Sequence, residues 1–166
     1  SLLVLSCKWL RDRLVFKLKL FVGNDHAGVI FKQKLITFLT ELNYIPIDVG
    51  SQDPNANDDY VDFAKIVSKG VVASRGTAKG ILLCGTGTGM AIAANKIGGI
   101  RAGLCYDSYT AKMARYDNDS NILCLRARGV SFDSLKPVIR TWLKTDFSQL
   151  DRHKRRIAKL EVLSQK

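Results

Sequence analysis

Short apolar runs alternate with longer amphipathic stretches from Phe16 to the end of this chain. Apolar runs of about four to eight residues are typical of strands buried on both faces, and apolar positions three and four residues apart are typical of helices. Strands are predicted at residues 18–22, 45–49, 80–84, 101–105 and 121–125. Since helices separate these runs, the pattern predicts repeated βα units around a parallel sheet, which is the α/β fold class.

The clearest predicted helix covers residues 27–43. Its buried stripe consists of Leu35, Phe38, Leu39 and Leu42, and its outward positions include Lys32, Lys34 and Glu41. Further helices are predicted at residues 60–73, 91–96, 108–116 and 152–163. Proline is tolerated in a first turn and breaks a helix interior, so the helix that contains Pro137 is predicted to begin no earlier than about Lys136.

The composition indicates one globular domain. Hydrophobic residues make up 46% of the chain and charged residues 25%, and a length of 166 residues is common for a single domain. We assign residues 16–166 to this domain and residues 1–15 to a basic and apolar extension of unknown role. The basic residues of the extension follow its apolar run, unlike those of a secretory signal, and the run is too short to span a membrane. No membrane partner is predicted.

The net charge of +11 suggests nucleic acid at first sight, but it is concentrated at the two ends of the chain. Residues 1–20 carry five Lys/Arg against one Asp, and residues 151–166 carry six against two acids, so the ends supply 4 + 4 = 8 of the 11 charges. The chain also lacks zinc-finger spacing and aromatic RNA-binding signatures. Nucleic acid is therefore not predicted as a partner.

The four cysteines are Cys7, Cys84, Cys105 and Cys124. No two of them form a Cys-x-x-Cys pair and only two histidines are present, so no metal site is predicted. Three of these cysteines lie in apolar, strand-like runs, where free thiols behave as small hydrophobes in a reducing compartment. This favours the cytoplasm.

The most informative segment for chemistry is a glycine-rich turn that follows an apolar run ending at Cys84. Gly85, Gly87 and Gly89 stand at alternate positions before a helical stretch, which predicts a strand, an anion-binding turn and a helix. A thiol at this position is either an ordinary buried strand-end cysteine or a base whose pKa the turn lowers. A dinucleotide fingerprint is not completed, because it would require glycine where Met90 stands, and the P-loop lysine is absent.

Two other groups are candidates for binding a ligand, one for its hydroxyls and one for a phosphate. Asp25 and His26 follow the first strand, where Asp25 either caps the next helix or joins His26 in contacting a substrate hydroxyl. Ligands bind beyond the carboxyl ends of parallel strands, so this pair, the Cys84 turn and Asp107 are expected at one edge of the sheet.

Near the carboxyl terminus, Arg152 and Arg156 are four residues apart and share a helix face. They form either a solvated face or a phosphate clamp, which Arg128 and Arg101 would join from the sheet.

Taken together, these segments resemble the ribose-5-phosphate isomerase B family, which includes the galactose-6-phosphate isomerase subunits. The resemblance extends from about Leu18 to Leu160 in one order. The matching motifs lie at residues 23–28, 59–64, 84–90, 93–96, 99–102, 118–119, 152–153 and 156. It implies a single Rossmann-like α/β/α sandwich with a five-stranded, mostly parallel sheet, and no metal or cofactor. It also implies a homodimer or tetramer whose active sites are shared between subunits.

The family resemblance also implies roles for individual residues in an aldose–ketose isomerase that interconverts ribose 5-phosphate and ribulose 5-phosphate. Cys84 would be the base, and Thr86 would assist the sugar hydroxyls. Substrate contacts would come from Asp25, His26, Asn118 and the turn residues Gly85, Gly87, Thr88 and Gly89, whose amides hold the enediolate. Phosphate contacts would come from Arg128, Arg152 and Arg156.

Three positions depart from the family pattern. Asp117 stands where the ribose isomerases usually carry a histidine that opens the furanose ring. It would serve as the acid or base if its pKa were raised; otherwise His26, His153 or the spontaneously open sugar would be needed. Arg126 replaces a small residue near the phosphate end, and Val61 replaces a proline at a helix start. Two alternatives therefore stay open: an isomerase of a six-carbon or 6-deoxy sugar phosphate, and a catalytically silent sugar-phosphate-binding protein.

Overall fold

The protein's computed structural model describes residues 17–163, which form a five-stranded sheet flanked by helices. The strands are β1 (Lys19–Asn24), β2 (Ile45–Asp48), β3 (Ala78–Cys84), β4 (Ala102–Leu104) and β5 (Ile122–Arg126). The helices are α1 (Val29–Glu41), α2 (Tyr60–Ala73), α3 (Thr88–Ala94), α4 (Ser108–Tyr116), α5 (Phe132–Lys144) and α6 (Asp151–Leu163). The predicted α/β fold is confirmed, and each predicted strand ends within two residues of the observed one. The extension at residues 1–15 and Cys7 lie outside the described residues.

All strand pairs are parallel, in the order β2-β1-β3-β5-β4. Because successive side chains of a strand point to opposite faces, each strand supplies two helical layers. One face packs against α1, α4 and α5, and its core includes Leu20, Ile81 and Leu123. The other face packs against α2 and α3, and its core includes Leu82 and Cys84. These layers form an α/β/α sandwich.

The order of the strands creates a crevice between β1 and β3. The chain leaves β1 toward α1 on one face of the sheet, and it leaves β3 toward α3 on the other face. Adjacent parallel strands whose connections diverge in this way leave a ligand site at their carboxyl ends. The two ends are in direct contact, since the Asp25 N–H donates to the Leu83 carbonyl at 3.3 Å.

Three local predictions differ from the structure. Helix α5 begins at Phe132, where the Ser131 Oγ accepts the Ser134 N–H at 3.2 Å, and Pro137 lies in its second turn. The bond that proline removes involves the carbonyl of Asp133, an exposed residue of the first turn whose carbonyl water can satisfy.

Lys32 is buried instead of facing outward. Its Nζ lies 3.1 Å from the Asp48 carboxylate and donates to the Ser51 carbonyl at 2.7 Å. A long aliphatic stem and a charged end explain both contacts, because the stem packs on the core while the ammonium reaches the end of β2. The start of α1 also differs from the prediction. The predicted helix begins at residue 27, whereas in the structure a 3₁₀ turn (His26–Gly28) comes first and α1 begins at Val29.

Candidate active site

Cys84 ends β3, and its thiol faces the glycine turn that follows. The sulfur accepts a hydrogen bond from the Gly87 N–H at 3.1 Å, while the residue is only 5% exposed and packs against α2 and α3. The position therefore has both features considered from the sequence, burial at a strand end and contact with the turn amides. Its role as a base stays a prediction.

Gly87 is the position of this turn that requires glycine. Its φ is +81°, in the left-handed region that side chains disfavour. A Cβ there would lie 2.6 Å from Leu104 Cδ1 and 3.0 Å from the carbonyl carbon and oxygen of Leu125. The backbone passes this close to β5 while directing its N–H at the Cys84 sulfur.

The remaining amides of the turn lie at the start of α3. The Thr88 N–H donates to the Thr86 Oγ1 at 3.3 Å. The N–H groups of Gly89 and Met90 have no helical carbonyl four residues earlier to bind, because they belong to the first turn. The ring of Tyr60 lies over Gly89, where an added Cβ would be 2.8 Å from it. The turn therefore offers donors beside the thiol.

A cleft of about 310 Å³ opens beside this turn. Arg128 reaches it from the loop after β5, where its backbone N–H donates to the Gly85 carbonyl at 3.1 Å. Its guanidinium lies over Gly85, since an added Cβ there would be 3.2 Å from the Arg128 Nη1. Thr86 and Arg126 also line the cleft. The structure thus brings one predicted phosphate ligand to the edge that carries Cys84.

Asp25 occupies the capping position that was one of its two sequence interpretations. Its buried carboxylate accepts the N–H groups of Ala27 at 3.0 Å and Gly28 at 3.3 Å. It therefore fixes the path of the chain from β1 into α1, and its predicted contact with substrate stays a prediction.

His26 is held by a residue that the sequence did not single out, Asp58. One carboxylate oxygen of Asp58 binds both the His26 backbone N–H, at 3.0 Å, and the His26 Nδ1, at 2.8 Å. Burial by itself would raise the pKa of the Asp58 carboxyl, but the nearby Ser51 side chain, the hydrogen bonds from His26 and the charge of His26 hold that pKa below its ordinary value. The only sequence signal was a carboxylate in the polar loop before α2.

The other predicted site residues lie at the opposite edge of the sheet. Asp117 and Asn118 follow α4 and precede the amino end of β5, whereas Cys84 pairs with Arg126 at the carboxyl end of that strand. With a rise of about 3.3 Å per residue along β5, the two edges are at least about 13 Å apart. Asn118 is exposed there and lines a cavity of about 420 Å³ beside α6.

Arg152 and His153 meet Asp117 at this second edge. The Arg152 Nε–H donates to the His153 Nε2 at 3.1 Å, and the His153 Nδ1 lies 2.6 Å from the Ser148 Oγ. Because Nε2 accepts, the ring proton lies on Nδ1, and Asp117 Oδ1 stands 3.6 Å from Nε2 without a hydrogen bond. Arg156 is exposed one turn further along α6.

Arg101 does not belong to a phosphate site with Arg128. It lies at the amino end of β4, where its guanidinium binds Asp119 at 3.1 Å and Glu161 at 2.7 Å. These contacts attach α6 to the sheet. The structure pairs Arg101 with these two carboxylates, so its guanidinium is already engaged and does not join Arg128, Arg152 and Arg156 in the phosphate clamp that was expected from the sequence.

The other described cysteines are free thiols without the features of a base. Burial, reinforced by the charge of Asp107, raises the pKa of Cys105 to about 12, and burial also raises the pKa of Cys124. Asp107 itself caps α4 by accepting the Thr110 N–H at 2.7 Å. Within residues 17–163, no three His, Cys, Asp or Glu side chains are grouped so that they could hold a metal ion. No helix in that range is long and apolar enough to cross a membrane.

Comparison with known proteins shows the family to which this chain belongs. The family model described as Ribose/Galactose Isomerase matches residues 20–160. The ribose-5-P isomerase B of Listeria innocua is 40% identical over 149 residues, which are 90% of this chain and 99% of that protein.

Two solved structures superpose closely on this fold. Ribose-5-phosphate isomerase B of Clostridium thermocellum has a TM-score of 0.83 and 40% identity, covering 88% of this chain and 97% of that one. The Mycoplasma genitalium enzyme with bound ribulose-5-phosphate has a TM-score of 0.85 and 35% identity, covering 90% and 97%. The chain therefore belongs to the ribose/galactose isomerase family and is an isomerase enzyme.

Proposed function

We propose that this enzyme interconverts ribose 5-phosphate and ribulose 5-phosphate through a cis-enediolate, with Cys84 as the base. The observation that carries the proposal is the hydrogen bond of 3.1 Å from the Gly87 N–H to the Cys84 sulfur at the β1/β3 crevice. Relatives of 34–40% identity that are named ribose-5-phosphate isomerase B support the substrate.

The proposed reaction moves one proton between two carbons of an open-chain sugar. The Cys84 thiolate takes the proton from C2 of the aldose, and the same group returns it to C1 of the enediolate, while a second proton passes from O2 to O1. An N–H directed at the sulfur stabilises a thiolate more than a thiol. The amides of Gly85, Gly87, Thr88 and Gly89 would stabilise the enediolate oxygens, and Thr86 would bind a sugar hydroxyl.

A second copy of the chain would complete each site. Cys84 and Arg128 lie at the carboxyl edge of the sheet, and Asp117, Asn118 and Arg152 lie at the amino edge, so one chain cannot bring all of them to one substrate. A symmetric dimer can, because any contact between the carboxyl edge of one copy and the amino edge of its partner is repeated by the two-fold axis, which completes both sites. We therefore propose a homodimer, or a tetramer built from it, in which Asn118, Arg152 and Arg156 act on the partner's substrate.

The phosphate would be bound by arginines of both copies. Arg128 overlies the turn of one copy, and Arg152 and Arg156 of the other share one face of α6. Guanidinium groups suit this task because they bind phosphate oxygens in bidentate geometry. The described cysteines are all free thiols, which supports a reducing compartment, the cytoplasm.

Asp117 stands where the resemblance implies a ring-opening histidine. This departure from the family pattern favours a second candidate function. Its carboxylate lies 3.6 Å from the buried His153, and we propose that it supplies the acid or base for ring opening. If it does not, the protein either isomerises a six-carbon or 6-deoxy sugar phosphate or binds ribose 5-phosphate without turnover. Asp117→His would then create or increase activity on ribose 5-phosphate.

The test is an isomerase assay in both directions with wild type, Cys84→Ala and Cys84→Ser. We expect turnover of both pentose phosphates by wild type, loss of turnover in Cys84→Ala, and an unchanged far-ultraviolet circular dichroism spectrum. Ribose 5-phosphate bound tightly in calorimetry without turnover by wild type would favour the silent binding protein. Near wild-type turnover in Cys84→Ala would show that the assigned base is wrong.

A further inference from the structure

We propose that Asp58 is a positioning residue that fixes His26 in one tautomer, so that the free His26 Nε2 accepts a hydrogen bond from a substrate hydroxyl. This inference rests on the proposed function, because it gives His26 a sugar phosphate to bind. It concerns a residue outside the motifs that carry the family resemblance.

The contact is made in a form that orients an imidazole. The same oxygen, Asp58 Oδ1, accepts the backbone N–H and faces the ring Nδ1 of His26, at 3.0 and 2.8 Å. Two bonds to one residue fix both the backbone and the ring plane. The Asp58 side chain is 16% exposed and its carboxyl pKa is lowered, so near neutral pH it is an ionised acceptor shielded from competing water.

An ionised carboxylate accepts hydrogen bonds and cannot donate them. When the His26 ring is neutral, it therefore carries its proton on Nδ1 and presents the lone pair of Nε2. Among residues 17–163, no group binds this second nitrogen, and the His26 side chain is 35% exposed. His26 follows β1 and Cys84 ends the adjacent strand β3, so this acceptor lies at the sheet edge that carries Cys84. It suits a ligand rich in hydroxyl donors, which a sugar phosphate is.

The loop that presents Asp58 is anchored from the core. The Ser51 carbonyl accepts both the Lys32 ammonium, at 2.7 Å, and the Asn24 side-chain amide, at 3.1 Å. The Ser51 N–H returns a bond to the Asn24 carbonyl at 2.8 Å. Lys32 and Asn24 are buried, and Asn24 is the last residue of β1. This network attaches the start of the loop to β1, the strand that precedes His26. The loop that carries Asp58 is therefore fixed by buried contacts.

The test combines a double-mutant cycle with nitrogen NMR on the full chain. The variants are Asp58→Asn, His26→Gln and the double variant, with Asp62→Asn as the control. Asp62 is exposed in the first turn of α2, so its change removes the same charge four residues away. The isomerase assay measures kcat and KM, and the ring nitrogens of the two histidines report their tautomers.

We expect Asp58→Asn to lower kcat/KM by about tenfold to hundredfold, the range seen when a carboxylate that orients a metal-bound histidine is removed. The double variant should be no worse than His26→Gln alone, because Asp58 acts through His26. In wild type the His26 resonances should show a protonated Nδ1, and Asp58→Asn should change them, since an amide can also donate to Nδ1. Asp62→Asn should match wild type in both measurements.

Three results would overturn the inference: wild-type kinetics in Asp58→Asn, additive losses in the double variant, or a protonated Nε2 in neutral wild-type His26. If the proposed function itself is wrong, the results will differ from all three of these. In that case wild type would not isomerise pentose phosphates, or Cys84→Ala would keep full turnover, while the NMR measurement would still decide the tautomer.

Discussion

Replacing Gly87 by alanine tests whether the turn is built around the thiol. The added Cβ would meet the Leu104 side chain at 2.6 Å, which can shift, and the Leu125 carbonyl at 3.0 Å, which belongs to a central strand and cannot shift easily. The residue would also keep a φ of +81°. The change therefore adds a conformational cost and a steric cost at one position.

Replacing Gly76 by alanine would carry the conformational cost without the steric cost, so it serves as the control. Its φ is +89°, and an added Cβ would meet nothing within 4 Å. A left-handed alanine costs about 1–2 kcal/mol, and a smaller entropy in the unfolded chain offsets about 0.4–1 kcal/mol of it. Gly76→Ala should therefore lower the free energy of unfolding by about 0–1.6 kcal/mol. Crowding in a packed interior adds about 1–3 kcal/mol, so Gly87→Ala should lower it by about 1–3 kcal/mol more than Gly76→Ala does.

Urea unfolding followed by circular dichroism measures both changes, and the isomerase assay measures their effect on turnover. Because relief of the contact with Leu125 displaces the Gly87 backbone, whose N–H binds the Cys84 sulfur, Gly87→Ala should also lower kcat, whereas Gly76→Ala should not. Equal destabilisation by the two variants, with wild-type kcat in Gly87→Ala, would refute the reasoning.

Three further predictions concern the core, the phosphate and the acid response. Trp142→Phe removes a buried hydrogen bond of 2.7 Å to Ser120, and urea unfolding should show a loss of about 1–3 kcal/mol; an unchanged midpoint would contradict this. Arg156→Gln should raise the KM for ribose 5-phosphate about tenfold or more, whereas Arg155→Gln, on another face of α6, should leave it unchanged. The folded pKa of Asp58 is lowered, so this residue stabilises the protein above the unfolded value of about 3.9 and loses that effect as the pH falls through its folded pKa. Asp58→Asn should therefore lose less stability than wild type between about pH 5 and pH 2 in acid titration, and equal slopes would count against the assignment.

The strands and most helices could be predicted because the apolar periodicity of the chain matches the layers of the fold. The exceptions have local causes. Pro137 suggested a late start for α5, but the bond it removes falls at an exposed carbonyl of the first turn, where water replaces it. Lys32 looked like a surface residue because periodicity treats every lysine as polar, whereas its stem is buried and its ammonium binds Ser51 and Asp48.

The site could be predicted in part for the same physical reason. Residues directly after parallel strands share an edge, which is why His26 and Cys84 were expected together. Asp58 could not be found in this way, because it lies in a loop 32 residues from His26 and only the fold brings the two together. The separation of Asp117 from Cys84 follows from the same rule, because a helix between two parallel strands returns the chain to the amino edge, where Asp117 follows α4.

The measurement that tests the central claim most directly is the activity of a mixed dimer. One copy carries Cys84→Ala and the other carries Arg152→Gln with Arg156→Gln, and two different affinity tags isolate the mixed species. If Cys84 of one copy works with the arginines of the other, one of the two sites contains only intact halves, and the dimer should show about half the wild-type activity per dimer. Mixed dimers no more active than the two parent variants would contradict the shared site.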